Sequence, residues 1–314
     1  MIRIVYLGSP LEAVAPLKYL LQEGKNHNIQ VVGVVSQPSK WCGRGKKKQL
    51  KDPAVAEYAK DMQIPLLQPD RAKDEDFLQS FRELSPDIAV TCAYGQILNE
   101  SFLAIPKIGT INIHPSALPR YRGATPVPAA IWAGDTETAV TILYTVKALD
   151  AGDIILSKKY SIGPDENSGE LLKRLFDASG PLLVQAISRL CTPDFTPSPQ
   201  DPTQVTHCKK FSKEDGMIQW QQSSQSIYNH FRALQPWPGS FWFHQEKRVV
   251  VVQMKPYLEK VATTSTPVGH LHWCQTAPGL LMRTQDGWLL LETLKPEGKK
   301  AISGQDFWNG MARK

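Results

Sequence analysis

The sequence is short of cysteine and holds no long apolar run. Five cysteines (Cys42, Cys92, Cys191, Cys208 and Cys274) are scattered through 314 residues without a CxxC pair. That odd, dispersed set speaks against a disulfide framework and against a structural zinc site, and it fits a reducing compartment. No stretch approaches the roughly 20 apolar residues of a membrane span. The amino terminus runs straight into MIRIVYLG, without the basic start and cleavage site of a signal peptide, so a cytoplasmic location is expected. A dinucleotide fingerprint is also missing. The first strand ends in Gly8-Ser9-Pro10 instead of a full GxGxxG, and the second runs into Gln37-Pro38 with no acid. A nicotinamide-dependent oxidoreductase is therefore disfavoured. The histidines and aspartates singled out below are too few and too far apart to suggest a metal, and none is expected.

What is present is an ordinary globular composition, 42% hydrophobic and 21% charged, with a formal net charge of +6. Over residues 1–190, apolar strands at Ile2–Leu7, Ile29–Val35, Asp87–Cys92, Gly109–His114, Ala139–Thr145 and Ile154–Ile162 alternate with amphipathic helices. This predicts an α/β domain on a Rossmann-like, mostly parallel sheet. Asp52-Pro53 reads as the cap and first turn of a helix, and Ser168–Leu190 as one long helix. Residues 191–205, beginning CTPDFTPSPQDP, read as a proline-rich linker. Beyond it, one helix near Ser224–Leu234 and short β runs predict a β-barrel of OB-like size over 206–314.

Three segments carry chemistry. Ser39–Lys51, SKWCGRGKKKQLK, has six cations, no acid and two glycines. A solvated loop is the plain explanation. Its place after the second strand, at the ligand-binding edge of such sheets, favours phosphate contact by Arg44, Lys46, Lys47 and Lys48. Trp41 would stack on a base or anchor the loop. Next, Asn112 and His114 flank Ile113 at a strand end, so alternation puts both on one face. Together they supply an oxyanion donor and a general acid/base. The irregular loop that follows, with Ser116, Pro119, Arg120, Arg122 and Gly123, suggests a binding site. Finally, Leu149-Asp150-Ala-Gly-Asp153 places Asp150 where it would orient the imidazole and a water, fixing the ring's tautomer.

NIHPSALPRYRGATP followed by LDAGDII resembles the core of the folate-dependent formyltransferases, Asn-x-His with Ser-Leu-Leu-Pro and Arg-Gly, then Leu-Asp-x-Gly-Asp. The resemblance implies that Asn112, His114 and Asp150 are catalytic. It also implies that Ser116, Ala117, Leu118 and Pro119 contact the folate, with Ala117 where leucine is usual. The donor would be 10-formyltetrahydrofolate. QPSKWCGRGKKKQ, FSKEDGMIQW and QPWPGSF are similar to segments of the branch that formylates methionine carried by initiator tRNA. There the basic loop enters the acceptor end, and Arg44 matches its key arginine. Ser39-Lys40 and Gln219 depart from that pattern. The expected partners are initiator methionyl-tRNA and folate, with a monomeric enzyme. A small amine as acceptor is the next choice, and a non-catalytic RNA-binding module would leave Asn112, His114 and Asp150 unexplained.

Overall fold

The computed structural model describes residues 1–43, 48–259, 261, 265–274 and 279–312. By contacts the chain forms two compact units. The first comprises 1–126, 137–161 and 172–208. Seven of its strands form one sheet: β1 (Ile2–Gly8), β2 (Ile29–Val35), β3 (Leu66–Leu67), β4 (Ile88–Cys92), β5 (Gly109–His114), β6 (Glu137–Tyr144) and β7 (Ile154–Ser161). They lie in the order β3-β2-β1-β4-β5-β6-β7. Pairing is parallel from β3 to β5, whereas β6 and β7 are antiparallel.

Every residue of β4 is buried, as a central parallel strand covered on both faces requires. Val5, Leu7 and Val35 pack with Phe77, Phe81 and Phe102, the last two with ring centroids 4.5 Å apart. The chain leaves β1 toward β2 and β3, then returns to β4 on the other side. That reversal opens a crevice at the carboxyl ends of the strands, where open α/β sheets bind ligands.

Two local expectations change. The helix after Asp52 starts at Ala54 with Pro53 at its cap, and Asp52 does not cap it. The carboxylate instead takes Lys60, the Ser39 hydroxyl at 2.6 Å and Gln68 at 3.2 Å, and its pKa falls to about 2, chiefly through Lys60. An ammonium outcompetes a neutral backbone N–H for a carboxylate. The run from Ser168 is two helices, Ser168–Asp177 and Ser179–Leu190. Ala178, at φ −84° and ψ −7°, divides them with too small a turn to disturb the apolar period.

The proline-rich stretch holds little regular structure, yet the chain is fastened within it and just past its end. Ser198 bridges Ile154, and His207–Cys208 pair in parallel with Arg122–Gly123.

The second unit takes in 127–136, 162–171 and the chain from Lys209 onward. Strands Ser240–His244, Lys247–Tyr257, Trp288–Pro296, Gly279–Arg283 and Leu271–Cys274 follow one another in an antiparallel sheet. The helix Ser224–Ala233 lies where the sequence places it. Its cap Ser223 accepts the Ser226 N–H at 3.1 Å, a contact worth about 1 kcal/mol. Trp220 and Trp242 meet edge to face at 5.8 Å in a core with Phe231, Leu291 and Leu294. A final helix, Gly304–Ala312, is not expected from the sequence, because Gly304 and Gly310 weaken its helical signature.

Candidate active site

The last residues of β5 carry the centre of the site. Asn112 pairs with Thr91 of β4 and His114 with Thr141 of β6. Strand alternation turns Ile113 into the core, at 2% exposure, and sends its two neighbours to the opposite face. Asp150 arrives from the loop after β6. All three side chains meet, as their types and positions predict.

The hydrogen bonds define the orientation of each group. Oδ2 of Asp150 accepts the backbone N–H of Gly123 at 2.8 Å. Oδ1 accepts from Nδ2 of Asn112 at 3.4 Å and lies 3.6 Å from Nδ1 of His114. Because a carboxylate can only accept, the Asn112 amide must face it with nitrogen. Oδ1 of Asn112 then accepts the Thr91 hydroxyl at 2.9 Å. One N–H of the Asn112 amide is committed to Asp150, which leaves the second to donate elsewhere.

The imidazole is almost fully enclosed, and its Nε2 lies 3.0 Å from the carbonyl oxygen of Tyr121. A carbonyl has no proton to give, so Nε2 carries the hydrogen and donates it. In the neutral ring, Nδ1 therefore holds the lone pair on the side of Asp150 and Asn112. The tautomer is set by the Tyr121 carbonyl and not by Asp150, which corrects the role expected from the sequence. Were Nδ1 to gain a proton, the Asp150 carboxylate would face an imidazolium. Burial pushes the His114 pKa below its ordinary value, against the opposing pull of Asp150 and the Tyr121 carbonyl. The resting ring is thus neutral at pH 7.

The loop after β5 is shaped by close contact. Gly123 sits at φ +124°, and a Cβ there would lie 2.2 Å from the Cys208 carbonyl oxygen. Only glycine lets the backbone bring its N–H to Asp150. Ser116 is fully buried, its hydroxyl donating to the Arg120 carbonyl at 2.9 Å while its own carbonyl accepts from Thr141 at 2.7 Å. Leu118 is also buried, and Ala117 and Pro119 are partly exposed. Ser116 thus closes the loop, with Ala117 and Pro119 on its partly open side.

Of the basic segment, Lys40–Cys42 and Gln49–Lys51 form a two-stranded hairpin where the sequence suggests a loop. Trp41 stands opposite Leu50, and Trp41, Lys48 and Leu50 are exposed. Arg44, Lys46 and Lys47 lie outside the described residues. The sequence does not single out Thr91, the Tyr121 carbonyl or Gln200. Thr91 and Gln200 bond partners 21 and 50 residues away, the Tyr121 carbonyl is a backbone group that any residue would supply, and only Gly123 left a trace, as a glycine in a polar loop. Among the described residues no cluster of three or more His, Cys, Asp and Glu could hold a metal ion, and no helix is long and apolar enough to cross a membrane.

A family model described as formyl transferase matches residues 2–187, and one described as formyl transferase, C-terminal domain, matches 210–312. The chain is 38% identical to a methionyl-tRNA formyltransferase of Roseiflexus castenholzii, over 99% of this chain and 96% of that protein. It is 39% identical to a methionyl-tRNA formyltransferase of Thermus thermophilus, over 98% and 96%. An N-formyltransferase from Helicobacter canadensis, solved with folinic acid and dTDP-3-aminofucose, shares the fold. Its TM-score is 0.67 at 18% identity, covering 93% of this chain and 99% of that one.

Proposed function

The chain belongs to the formyl transferase family, and on that premise we infer that it formylates the amino group of methionine on initiator tRNA. The donor is 10-formyltetrahydrofolate, a substrate consumed at each turnover. The observation that carries the chemistry is the enclosed Asn112–His114–Asp150 cluster at the carboxyl edge of the sheet. Exposed Leu11 and Ile97, in the segments that follow β1 and β4, leave apolar surface at the same edge for a flat ring system. Ala117 and Pro119 add to it, with Ser116 and Leu118 holding their loop in shape.

On this reading the α-amino group, with a reference pKa of about 7.7–8.0, is partly neutral near pH 7 and attacks the formyl carbon directly. A C–N bond forms, and the carbonyl oxygen gains charge. The second N–H of Asn112 donates to that oxygen. Nδ1 of His114 takes the proton lost by the amine, and Asp150 stabilises the imidazolium. The same proton passes to the folate nitrogen as its bond to the formyl carbon breaks, so the ring returns to its neutral form.

Residues 1–190 serve as the catalytic domain, 191–205 as a proline-rich connection and 206–314 as the tRNA-binding domain. Arg44, Lys46, Lys47 and Lys48, with Trp41, take the acceptor end, the cations through phosphates and Trp41 by stacking. The enzyme works as a monomer in the cytoplasm. The test is formyl transfer from 10-formyltetrahydrofolate to charged initiator tRNA, beside free methionine and glycinamide ribonucleotide. Comparable transfer to either small amine would overturn the assignment of the acceptor.

A further inference from the structure

The side chain of Gln200 spends its whole amide on the loops that hold Asp150. Nε2 donates to the Asp150 carbonyl at 2.8 Å and to the Gly152 carbonyl at 2.7 Å. Oε1 accepts from Nε of Arg122 at 3.0 Å. Arg122 directly precedes Gly123, whose N–H holds the Asp150 carboxylate. One side chain therefore ties the backbone of Asp150 to the segment that grips its carboxylate.

That tie meets a need. Asp150 lies at φ 50°, in the left-handed region that a residue with a side chain seldom occupies unless its surroundings impose it. Two residues on, Gly152 is pressed so close that a Cβ would lie 2.0 Å from the Tyr144 carbonyl. Carbonyls 150 and 152 flank this tight turn, and Gln200 takes both. The residue just past the proline-rich stretch braces the loop beside the histidine. Thr206 accepts the Tyr121 N–H on its hydroxyl at 2.8 Å and the Arg122 N–H on its carbonyl at 2.9 Å. Tyr121 is the residue whose carbonyl orients His114.

We propose that Gln200 is a positioning residue for Asp150, which makes the proline-rich stretch part of the active-site scaffold as well as a connection. This rests on the catalytic reading of Asp150 above. Without the clasp, the turn relaxes and the carboxylate moves away from His114 and Asn112. A misplacement of about 1 Å can cost on the order of a hundred-fold in rate.

The experiment compares wild type with Gln200→Leu, Gln200→Glu and Asp150→Asn in the full-length protein. It reads kcat, KM for the folate donor, the pH dependence of kcat, and thermal melting. Leucine removes both donors at similar volume. Glutamate keeps the length and the acceptor for Arg122 but gives the two carbonyls no donor. Both Gln200 variants are expected to lose about ten- to a hundred-fold in kcat with KM changed less than about three-fold. Their pH profiles should move in the same direction as that of Asp150→Asn, because all three weaken the carboxylate's hold on His114. A slackened connection would lower the melting temperature and leave the profile in place. If Asp150→Asn moves the profile and neither folded Gln200 variant does, the proposal is wrong. If Asp150→Asn itself has the wild-type profile, the reading of Asp150 fails first. Should leucine prevent folding, the glutamate variant decides by the same criterion.

Discussion

The Asn112–His114–Asp150 cluster and the basic hairpin stand at the same edge of one sheet and are built in opposite ways. His114 is buried, Asn112 and Asp150 are partly buried, and the three are cross-braced by Thr91, Tyr121 and Gly123. Trp41 and Leu50 are 70% and 57% exposed, and the hairpin is secured at its root, where Ser39 donates to Asp52. The contrast suits the role proposed for each region. A proton transfer works only when donor and acceptor are held within hydrogen-bond reach, which demands a rigid frame. Attraction between cations and phosphates extends over a Debye length of about 8–10 Å and tolerates exposure. Rigid and exposed regions should therefore fail differently when mutated.

The largest effect belongs to the enclosed cluster. His114→Ala and Asn112→Ala are each expected to lower kcat by a hundred-fold or more while tRNA affinity stays within about two-fold. A quench-flow or steady-state assay with a parallel binding titration checks this. Retention of more than about a tenth of wild-type turnover by either variant would remove that residue from the mechanism.

A smaller loss is expected from Gly123→Ala. The added methyl would meet the Cys208 carbonyl, in a conformation where strain costs about 1–3 kcal/mol. The backbone must shift, taking its N–H away from Asp150. A fall in kcat of about ten-fold, with a lower melting temperature, is the expected result. Wild-type turnover in this variant would mean that the Gly123 N–H does not hold the carboxylate in place.

The basic segment should respond in a graded, salt-dependent way. Arg44→Lys is expected to reduce transfer to tRNA several-fold, because a guanidinium offers a planar fork that an ammonium lacks. Alanine at Lys46, Lys47 or Lys48 should each cost less and reduce the slope of log affinity against log salt by about one. Binding measured across a salt series separates the two patterns. An Arg44→Lys variant equal to wild type, beside a lysine variant that fails, would assign recognition to the lysine.

The smallest effect concerns stability. Burial holds both His114 and His230 below the ordinary histidine range. The unfolded chain, with imidazoles near pKa 6.5, therefore binds protons first as pH falls. Stability from these two residues is complete above about pH 6.5 and declines below it. Denaturant midpoints at pH 7.5 and 5.5 should differ less in His230→Gln than in wild type. An unchanged difference would show that His230 is not a source of the acid sensitivity.

Much of this molecule was legible in its residues. Unbroken apolar runs such as Ile88–Cys92 and alternation at Gly109–His114 identified parallel strands, because burial on both faces leaves a local trace in composition. Asn112 and His114 were visible as a pair since a strand repeats every two residues. Asp150 stood out for its acid beside a glycine turn. The hairpin within Ser39–Lys51 was hidden by its charge, and the fate of Asp52 by Lys60, eight residues away. What only the tertiary structure decided is how the acid, amide and ring face one another. The Tyr121 carbonyl chooses the tautomer of His114, and Gly123 presents its N–H to Asp150 because Cys208 leaves no room for a side chain. Gln200 closes the ring from 50 residues away. Hydrogen bonds between backbone groups and distant side chains carry no local pattern, so sequence determined which chemical groups are present and packing determined where each proton sits.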